Sequence, residues 1–443
     1  MDRFVVRREP VMQQTRKHRH AIVGLGARSG MYARSILTTY AERHDLVGLC
    51  DTNRTRMNWC NANYRKWGAQ RDVPMYPARD FDRMIAAEKP DTVIVTSVDR
   101  THHDYIVRAM ELGCDVISEK PMTVDAESCR SILEAVERTG RKLRVTFNYR
   151  YSPVRSTVKE LLMRGTIGDV KAVNFEWLLD TRHGADYFRR WHRDKRNSGG
   201  LMVHKASHHF DLVNWWLDSS PQRVFGLGTL AFYGRANARA RGVTKFYERG
   251  TQDPNAQGDP FALDLAGSRA LRGLYLDAEH EDGYRRDLSV FADGISIEDT
   301  MNLVVRYRSG AQMSYTLSAY CPWEGYRVAF IGTQGRIELE DLEASYVDAA
   351  TGAIGDAAHE SRRILVFPHW SKPYDVTPPD GIGEHGGGDA LLLEDIFGNP
   401  SPDPLGRGAD HIAGARSVVT GIAANISFNT GLPVDVDDLV KLP

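Results

Sequence analysis

Between His20 and Arg150 the sequence alternates short apolar runs with segments of helical spacing, and this rhythm constrains the fold more than any other feature. The apolar runs include HAIVGLG, DLVGLCD, DTVIVTS, CDVISEKP and KLRVTFNYR. Strands that alternate with helices of about 10–15 residues form a parallel, doubly wound sheet. We therefore predict that residues 20–150 form an N-terminal α/β domain of this kind.

The rhythm changes after Pro153, where longer β runs replace the short ones. KAVNFEWLLD alternates apolar and polar residues, and VVRYRSG, AQMSYTLSAY and YRVAFIGTQGRIELED follow with Ser-Gly and Gln-Gly turns. Such patterns are typical of an open, mostly antiparallel sheet with a few helices. The predicted fold class is α/β, with the parallel domain followed by a second α/β domain over residues 151–443.

Charge and cysteine content exclude several classes of protein. Lys and Arg number 57 against 58 Asp and Glu, so the net charge of -1 offers no handle for nucleic acid or an anionic membrane. No apolar run approaches the ~18–20 residues of a membrane span. The 5 Cys show no CxxC spacing, which argues against a disulfide scaffold and a zinc ribbon.

Residues 1–19 are basic, and we interpret them as a flexible leader. Arg7-Arg8 is similar to the start of a twin-arginine signal, but MQQTRKHRH follows where such a signal needs an apolar region. We therefore predict a cytoplasmic protein whose leader is either simply solvated or binds something anionic.

The segment Gly24-Leu25-Gly26-Ala27-Arg28-Ser29-Gly30 follows the first apolar run and predicts a dinucleotide phosphate loop. Gly24 allows a tight turn, and Gly26 lets the backbone approach a pyrophosphate at a helix N-terminus. Asp51 ends the second run, where a carboxylate accepts from a ribose 2′-hydroxyl and repels a 2′-phosphate. We predict that the cofactor is NAD, although Arg54, close to Asp51 in sequence, could bind the 2′-phosphate of NADP. The predicted cofactor contacts are Gly24, Gly26, Ala27, Arg28, Ser29, Asp51, Thr96, Glu119 and Lys120.

Glu119-Lys120-Pro121 ends the fifth predicted strand, at the carboxyl edge of the sheet where doubly wound folds bind ligands. A lysine here is either an ordinary charged strand end or a residue aimed at the substrate and the nicotinamide. In the second case its charge stabilises a developing alkoxide.

Four ordered motifs together resemble those of the Gfo/Idh/MocA oxidoreductase family: GLGARS, EKPM, NYRYSP and GGLMVHKASHHFDLVNWW. The resemblance implies an N-terminal NAD(P)-binding Rossmann domain and a C-terminal α/β domain. The open sheet of the second domain would carry the substrate on one side and often a subunit contact on the other, giving a homodimer or homotetramer. The family usually oxidises or reduces a carbinol of a sugar, a polyol or a similar small molecule.

The family pattern G-G-x-x-x-D-x-G-x-H-x-x-D matches the chain at Gly199, Gly200, His208 and Asp211, whereas His204 replaces the first Asp. The resemblance implies that His208 is the acid/base imidazole and that its companion carboxylate is missing. His204 and His208 are four residues apart and share a helix face. An imidazole with an ordinary pKa near ~6.5 suits removal of a hydroxyl proton. The predicted catalytic residues are Lys120, His208 and His204.

The other polar residues of this helix have less specific interpretations. Two histidines at this spacing also occur as metal ligands, but the Glu of HExxH and a third ligand are lacking, so we predict no metal. His209 points elsewhere on the helix and is interpreted as structural. Asp211 is interpreted as a hydrogen-bond anchor for a neighbour.

A basic stretch, Arg182 to Arg196, precedes the glycine pair and is predicted to be a loop. Its aromatic rings suit sugar C–H faces and its cations suit hydroxyls or a carboxylate, although such a loop is often only solvated. His385, in the run Glu384-His385-Gly386-Gly387-Gly388, either enters the site or precedes a helix capped by Asp389. The predicted substrate contacts are Arg150, Trp191, His192, Lys205 and His385.

Arg235 to Gly294 is polar and rich in Gly, Asp and Arg. We interpret it as an insertion that leaves and re-enters the second domain without a core of its own. On this interpretation, replacing part of it with a Gly-Ser linker leaves cofactor binding intact.

These features favour an NAD(P)-dependent dehydrogenase of a sugar, polyol or sugar derivative, which needs a small carbohydrate and neither nucleic acid nor membrane. The first alternative is a reaction of some relatives that resemble this family: an NAD-dependent glycoside hydrolase that oxidises C3, eliminates the aglycone, adds water and reduces the sugar again. This route needs a second base to deprotonate C2, and the extra histidine His204 could supply it. The second alternative is a non-catalytic NAD(P) sensor, against which Lys120 and His208 argue.

Overall fold

The computed structural model describes residues 16–344, 362–381, 387–399 and 402–442. In the first domain, buried apolar runs such as Thr92–Val95 form short strands. Two of its helices begin at a capping side chain: Asn53 accepts from the Arg56 amide, and Asp125 accepts from the Ser128 amide. The strands are β1 His18–Val23, β2 His44–Asp51, β3 Met75–Pro77, β4 Thr92–Val95, β5 Asp115–Ser118 and β6 Leu143–Val145. The helices are α1 Ser29–Leu37, α2 Arg54–Lys66, α3 Phe81–Glu88, α4 His102–Glu111 and α5 Ala126–Thr139.

These six strands are parallel and lie in the order β6-β5-β4-β1-β2-β3. The order reverses between β1 and β4, which opens a crevice at the carboxyl ends of the strands. Gly24 follows β1 with a φ of 82°, and a Cβ there would lie 2.4 Å from the Cα of Ser97, which follows β4. Only glycine allows this close approach. The predicted parallel Rossmann domain is confirmed.

The second domain begins with helix α6 Pro153–Met163 and contains the long strands predicted from the alternating runs. Its strands are β7 Val170–Asp180, β8 Pro221–Thr229, β9 Thr300–Tyr307, β10 Gln312–Cys321, β11 Glu324–Gly332, β12 Gly335–Ala344, β13 Arg362–Pro368, β14 Tyr374–Val376, β15 Ala409–Asp410 and β16 Val434–Asp435. Its further helices are α7 Thr181–Arg189, α8 Lys195–Ser198, α9 Leu201–His204, α10 Ala206–Leu217, α11 Arg235–Ala240, α12 Arg269–Leu274, α13 Glu279–Asp282, α14 Gly388–Phe397 and α15 His411–Thr430.

In the described ranges the second sheet has the order β14-β13-β12-β11-β7-β10-β9-β8-β16. All neighbours are antiparallel except β7 and β10. The open, mostly antiparallel sheet is therefore confirmed. Strand β9 alternates buried and exposed residues, so one face packs inward and the other faces out. Trp177 and Tyr326 stack on the inner face with ring centroids 4.6 Å apart.

Two expectations about the course of the chain are wrong. The basic stretch between Arg182 and Arg196 is not a loop: it contains α7 and α8, and Asp180 caps α7 by accepting from the Arg182 and His183 amides. The chain also returns to the first domain near its end, where β15 pairs antiparallel with β6. At the other end of the chain, β1 begins at His18, inside the predicted leader, of which residues 1–15 lie outside the described ranges.

The segment 235–294 lies between the neighbouring strands β8 and β9. It packs on the first domain and lines the cavity between the domains, so the expectation that part of it can be replaced without effect on cofactor binding does not agree with the structure. Its Leu265, Leu274 and Tyr275 are buried in one apolar cluster with Ile22 and Met57 of the first domain. Its charges are largely paired: Arg249 contacts Glu279 at 2.6 Å and Asp287 at 2.8 Å. Paired charges allow a polar sequence to be buried, which composition does not reveal.

No helix within the described ranges is both long enough and apolar enough to span a bilayer.

The packing of the segment 235–294 on α2 can be tested at two of its glycines. A Cβ on Gly273 would lie 1.7 Å from Nε1 of Trp59 in α2, whereas a Cβ on Gly267 would meet nothing closer than 4.0 Å. We expect Gly273→Ala to lower the free energy of unfolding by about 1–3 kcal/mol, as overpacking does. Gly267→Ala should change it by less than about 0.5 kcal/mol. Urea unfolding of both variants measures the difference, and equal stabilities would contradict the packing.

Candidate active site

A cavity of about 770 Å³ lies between the two domains, at the carboxyl ends of the parallel strands. The turns after β1, β2, β4 and β5 line one side, and α7, α9, α10 and the segment 235–294 line the other. The structure brings most of the predicted site residues together here: Gly24, Gly26, Ala27, Arg28, Asp51, Thr96, Glu119, Lys120, Trp191, His192, His204, Lys205 and His208.

Hydrogen bonds from side chains hold the predicted phosphate loop, which follows β1, in place. Arg28 Nε donates to Glu119 at 2.6 Å, and the Tyr32 hydroxyl donates to the same carboxylate oxygen at 2.6 Å. Burial raises the pKa of Glu119, but the Arg28 charge and the Tyr32 hydrogen bond outweigh it and hold that pKa below its usual range. Ser29 is buried behind the loop and donates to the Gly26 carbonyl, so its hydroxyl does not face the cavity.

One end of the cavity, called the ribose end after the contact predicted for Asp51, holds three charges in contact. Asp51 accepts from the Leu25 amide at 2.6 Å and from Arg56 Nη1 at 3.0 Å. Arg56 also donates to Asp282 at 2.9 Å. Two carboxylates against one guanidinium leave this end of the cavity negative. Arg54, the residue considered for the 2′-phosphate of NADP, is not among the residues that line the cavity; Arg56 is.

Lys120 reaches from β5 to the second domain. Its Nζ donates to the backbone carbonyl of His204 at 3.2 Å. Burial lowers the pKa of Lys120 to about 8, opposed by the negative charges of Asp99 and Glu119. Near neutral pH the amine is therefore partly deprotonated and able to accept a proton.

The first domain supplies a carboxylate to His204, the residue that replaces the first Asp of the family pattern. Asp99, in the turn after β4, places Oδ2 2.5 Å from Nδ1 of His204, and both side chains are buried. Burial lowers the pKa of His204 well below its usual value, and the Lys120 charge lowers it further. Burial also raises the pKa of Asp99. Because Nδ1 is engaged, Nε2 is the ring nitrogen left for a substrate.

His208 lies face to face with Tyr149, with ring centroids 4.1 Å apart and planes 13° apart. The Tyr149 hydroxyl accepts from Lys205 Nζ at 2.9 Å. The Lys205 ammonium also lies 5.0 Å from the centroid of the Trp177 ring, a cation–π distance. These aromatic faces hold Lys205 and His208 in fixed positions at the wall of the cavity.

His183, which lines the same cavity, forms a second histidine–carboxylate pair. His183 Nδ1 lies 2.7 Å from Glu324, and its Nε2 lies 3.0 Å from the Tyr187 hydroxyl. His192 stacks on Trp191 with centroids 3.6 Å apart and meets the His204 ring edge-on at 4.2 Å. Together these groups offer aromatic faces and hydrogen-bonding atoms to a polyhydroxylated ligand.

Two predicted residues, Arg150 and Ser29, do not line the cavity. Arg150 is not a cavity residue: it forms a buried two-bonded pair with Asp211, at 2.7 and 2.5 Å, and so anchors α10. The anchoring role predicted for Asp211 agrees with this contact. Ser29 supports the loop from behind, and His385 lies outside the described residues. His209, interpreted as structural, is buried between Trp177 and the Tyr315 hydroxyl.

The sequence analysis missed Asp99 and Tyr275 as cavity residues and Glu324 as the partner of His183. His183 and Tyr187 lie in the basic stretch whose rings and cations were expected to meet a substrate. One signal was available for Asp99, because it follows the carboxyl end of β4, the edge where such folds bind ligands. Glu324 and Tyr275 come from a strand start and from the polar segment 235–294, far along the chain from the motifs. No local pattern marks them.

The residues present fit a dinucleotide. The loop between β1 and α1 is glycine-rich, Asp51 stands at the end of β2, and the cavity continues from both toward Lys120. Among the described residues, no group of three or more His, Cys, Asp and Glu side chains is arranged to hold a metal ion.

Comparison with known proteins identifies the family. The profile of the oxidoreductase family's NAD-binding Rossmann fold matches residues 18–147, and that of its C-terminal alpha/beta domain matches residues 159–436. The YteT protein of Bacillus subtilis is 34% identical over 441 residues, covering 95% of this chain and 98% of YteT. Inositol 2-dehydrogenase of Rhizobium meliloti is 32% identical over 146 residues, covering 33% of this chain and 42% of that enzyme.

Among solved structures, the WlbA dehydrogenase of Bordetella pertussis, in complex with NADH and UDP-GlcNAcA, superposes with a TM-score of 0.61. It is 18% identical, and the match covers 95% of this chain and 99% of that one, so it supports the fold alone. With both family profiles matched in order, the chain belongs to the Gfo/Idh/MocA family of oxidoreductases.

Proposed function

We propose that this chain transfers a hydride between a nicotinamide and a carbinol or carbonyl carbon of a sugar, polyol or sugar derivative, as an NAD(P)-dependent dehydrogenase of class EC 1.1.1.-. The observation that carries the proposal is the convergence of the phosphate loop, Lys120 and the His204–Asp99 pair on one cavity. Hydride transfer from a carbinol needs a dinucleotide site and a base for the hydroxyl proton. The inositol dehydrogenase relative supports a polyhydroxylated substrate.

A bound nicotinamide supplies the hydride acceptor. Neutral Lys120 accepts the proton of the reacting hydroxyl at Nζ, and as an ammonium it stabilises an alkoxide. His208 and His204 present two further imidazoles for proton transfer, and Asp99 fixes the tautomer and direction of His204. Trp191, His192 and Lys205 bind the remaining hydroxyls and C–H faces of the substrate. A homodimer or homotetramer stays a prediction.

One observation favours the glycoside hydrolase as a second candidate function. That route needs a second base to remove the C2 hydrogen after C3 has been oxidised. His204 stands beside Lys120 and is paired with Asp99, so it qualifies as that base even though the helix itself lacks the family's carboxylate. The two candidates differ in products: the hydrolase releases an aglycone without net reduction of the cofactor.

Hydride transfer can be followed independently of net turnover. With a sugar or polyol deuterated at the carbinol carbon, we expect the label on the nicotinamide after a single turnover, read by mass spectrometry. His208→Ala should abolish this transfer while the cofactor still binds, because α10 lies outside the Rossmann domain. His204→Ala should cost less in a dehydrogenase and as much as His208→Ala in a hydrolase. Full activity of His208→Ala would contradict the placement of the site.

The pKa of Lys120 predicts the pH dependence. Below a pH of about 8 most of the amine is protonated and only the neutral fraction can accept the hydroxyl proton, so the oxidation rate should rise with pH and level off above this value. Lys120→Met should lower kcat by about 10²–10⁴-fold and remove this limb of the profile. A stopped-flow pH series measures both. A rate that is flat between pH 6.5 and 9 in the unaltered protein would rule out Lys120 as the base.

The negative ribose end predicts a preference for NAD, because a 2′-phosphate would face Asp51 and Asp282. Asp51→Ala should weaken NAD binding and reduce the ratio of the affinity for NAD to the affinity for NADP. Asp282→Asn should reduce the same ratio while leaving the hydrogen bond from the Leu25 amide to Asp51 intact. Asp277→Asn, at an exposed pair with Arg272, is the matched control. Calorimetric titration gives both affinities, and NADP binding tenfold tighter than NAD would show the assignment of Asp51 to be mistaken.

A further inference from the structure

The segment 263–284, within the predicted insertion, reaches the phosphate loop itself. The Ala27 amide donates to the Tyr275 hydroxyl at 3.0 Å, and Tyr275, Asp282 and Tyr284 line the cavity together with Gly26. A hydroxyl that accepts from Ala27 keeps its own proton for another acceptor. The ring of Tyr275 is also flanked by two cations, Arg286 at 4.8 Å and Arg56 at 5.9 Å from its centroid. These cation–π contacts hold the ring in place, so that the hydroxyl stays beside the loop amide, where it can donate to a phosphate oxygen.

The same segment is tied to the N-terminus of α2 on the other side of the ribose position. Glu281 accepts from the Arg54 amide at 2.6 Å and from the Thr55 amide at 2.8 Å, which caps α2 with a carboxylate. Asn53 Nδ2 donates to the Ala278 carbonyl at 2.8 Å, and Arg56 Nε donates to the Leu274 carbonyl at 3.0 Å. The segment therefore extends as a polar bridge from the phosphate loop to α2. It passes over the part of the cavity where Asp51 is predicted to bind the adenosine ribose.

Apolar packing reinforces these polar contacts. Leu265, Leu274 and Tyr275 are at most 6% exposed and share a cluster with Leu25 and Met57 of the first domain. A dinucleotide that leaves the crevice past this segment must break the polar bridge, and local opening of packed elements is slow and costly compared with loop motion.

We propose that the segment 263–284 is part of the cofactor site, with Tyr275 as a pyrophosphate ligand, and that it slows the release of the dinucleotide. This inference rests on the proposed function.

The test is the rate at which cofactor leaves the protein, which does not depend on knowing the substrate. The chain is loaded with NADH, passed through a desalting column and chased with excess NAD, and the loss of bound NADH fluorescence is followed. We expect NADH to stay bound through the column and to leave over minutes to hours. Tyr275→Phe and Glu281→Gln should each raise the dissociation rate by about tenfold or more, because each removes a hydrogen bond to a charged or amide group of the bridge.

Tyr247→Phe is the matched control. Tyr247 lies in the same inserted region, but its hydroxyl donates to Asp259 at 2.8 Å and it does not line the cavity. Its dissociation rate should equal that of the unaltered chain, and thermal unfolding of all three variants checks that they fold. NADH that exchanges within seconds from the unaltered chain, or a Tyr275→Phe rate equal to the control, would overturn the inference. Absence of any dinucleotide binding would instead overturn the proposed function.

Discussion

The hydrogen bond between Asp99 and His204 joins the two domains across the cavity, and the arrangement of the site depends on it. Asp99 hydrogen-bonds to the side chain of His204, and Lys120 donates to the backbone carbonyl of the same residue. Two residues that follow strands of the Rossmann sheet therefore fix one residue of the second domain. A buried carboxylate or imidazole that lost this partner would be left with an unsatisfied polar group at a cost of about 1–3 kcal/mol. The contact therefore orients the second domain and prepares the proton-transfer groups together.

Burial of paired charges is the second theme of the structure. Asp186 lies among Arg190, Arg286 and Arg189, and although burial raises its pKa, these guanidinium groups hold it well below its usual range. The basic stretch before the glycine pair therefore becomes helix α7 packed on the cavity instead of a solvated loop. In the segment 235–294 the same device lets a polar sequence pack against the cofactor end of the first domain. Charge composition alone suggests solvent exposure, and the structure shows why that inference fails here.

The predictions that held were those based on local pattern. Short buried runs became parallel strands, alternating runs became an open antiparallel sheet, and glycines after the first strand became a loop at a helix N-terminus. His204 and His208 line one cavity, as their spacing predicts, even though the helix is interrupted at Lys205. The placement of Arg150 failed because its partner Asp211 lies 61 residues away in sequence, and nothing around Arg150 shows that its charge is already paired.

The sequence by itself determined the two-domain α/β architecture, the glycine-rich loop after β1 and Asp51 at the end of β2, because each is encoded by periodicity or by spacing within one element. The roles of Lys120 and His208 were suggested by the family resemblance. Only the tertiary structure decided what completes them. Asp99 meets His204 across 105 positions, Glu324 meets His183 across 141, and Tyr275 meets Ala27 across 248. Such contacts depend on how strands and insertions pack in space. The carboxylate partners of His204 and His183 and the hydroxyl partner of the Ala27 amide therefore come from packing between elements, which no pattern within a single element encodes.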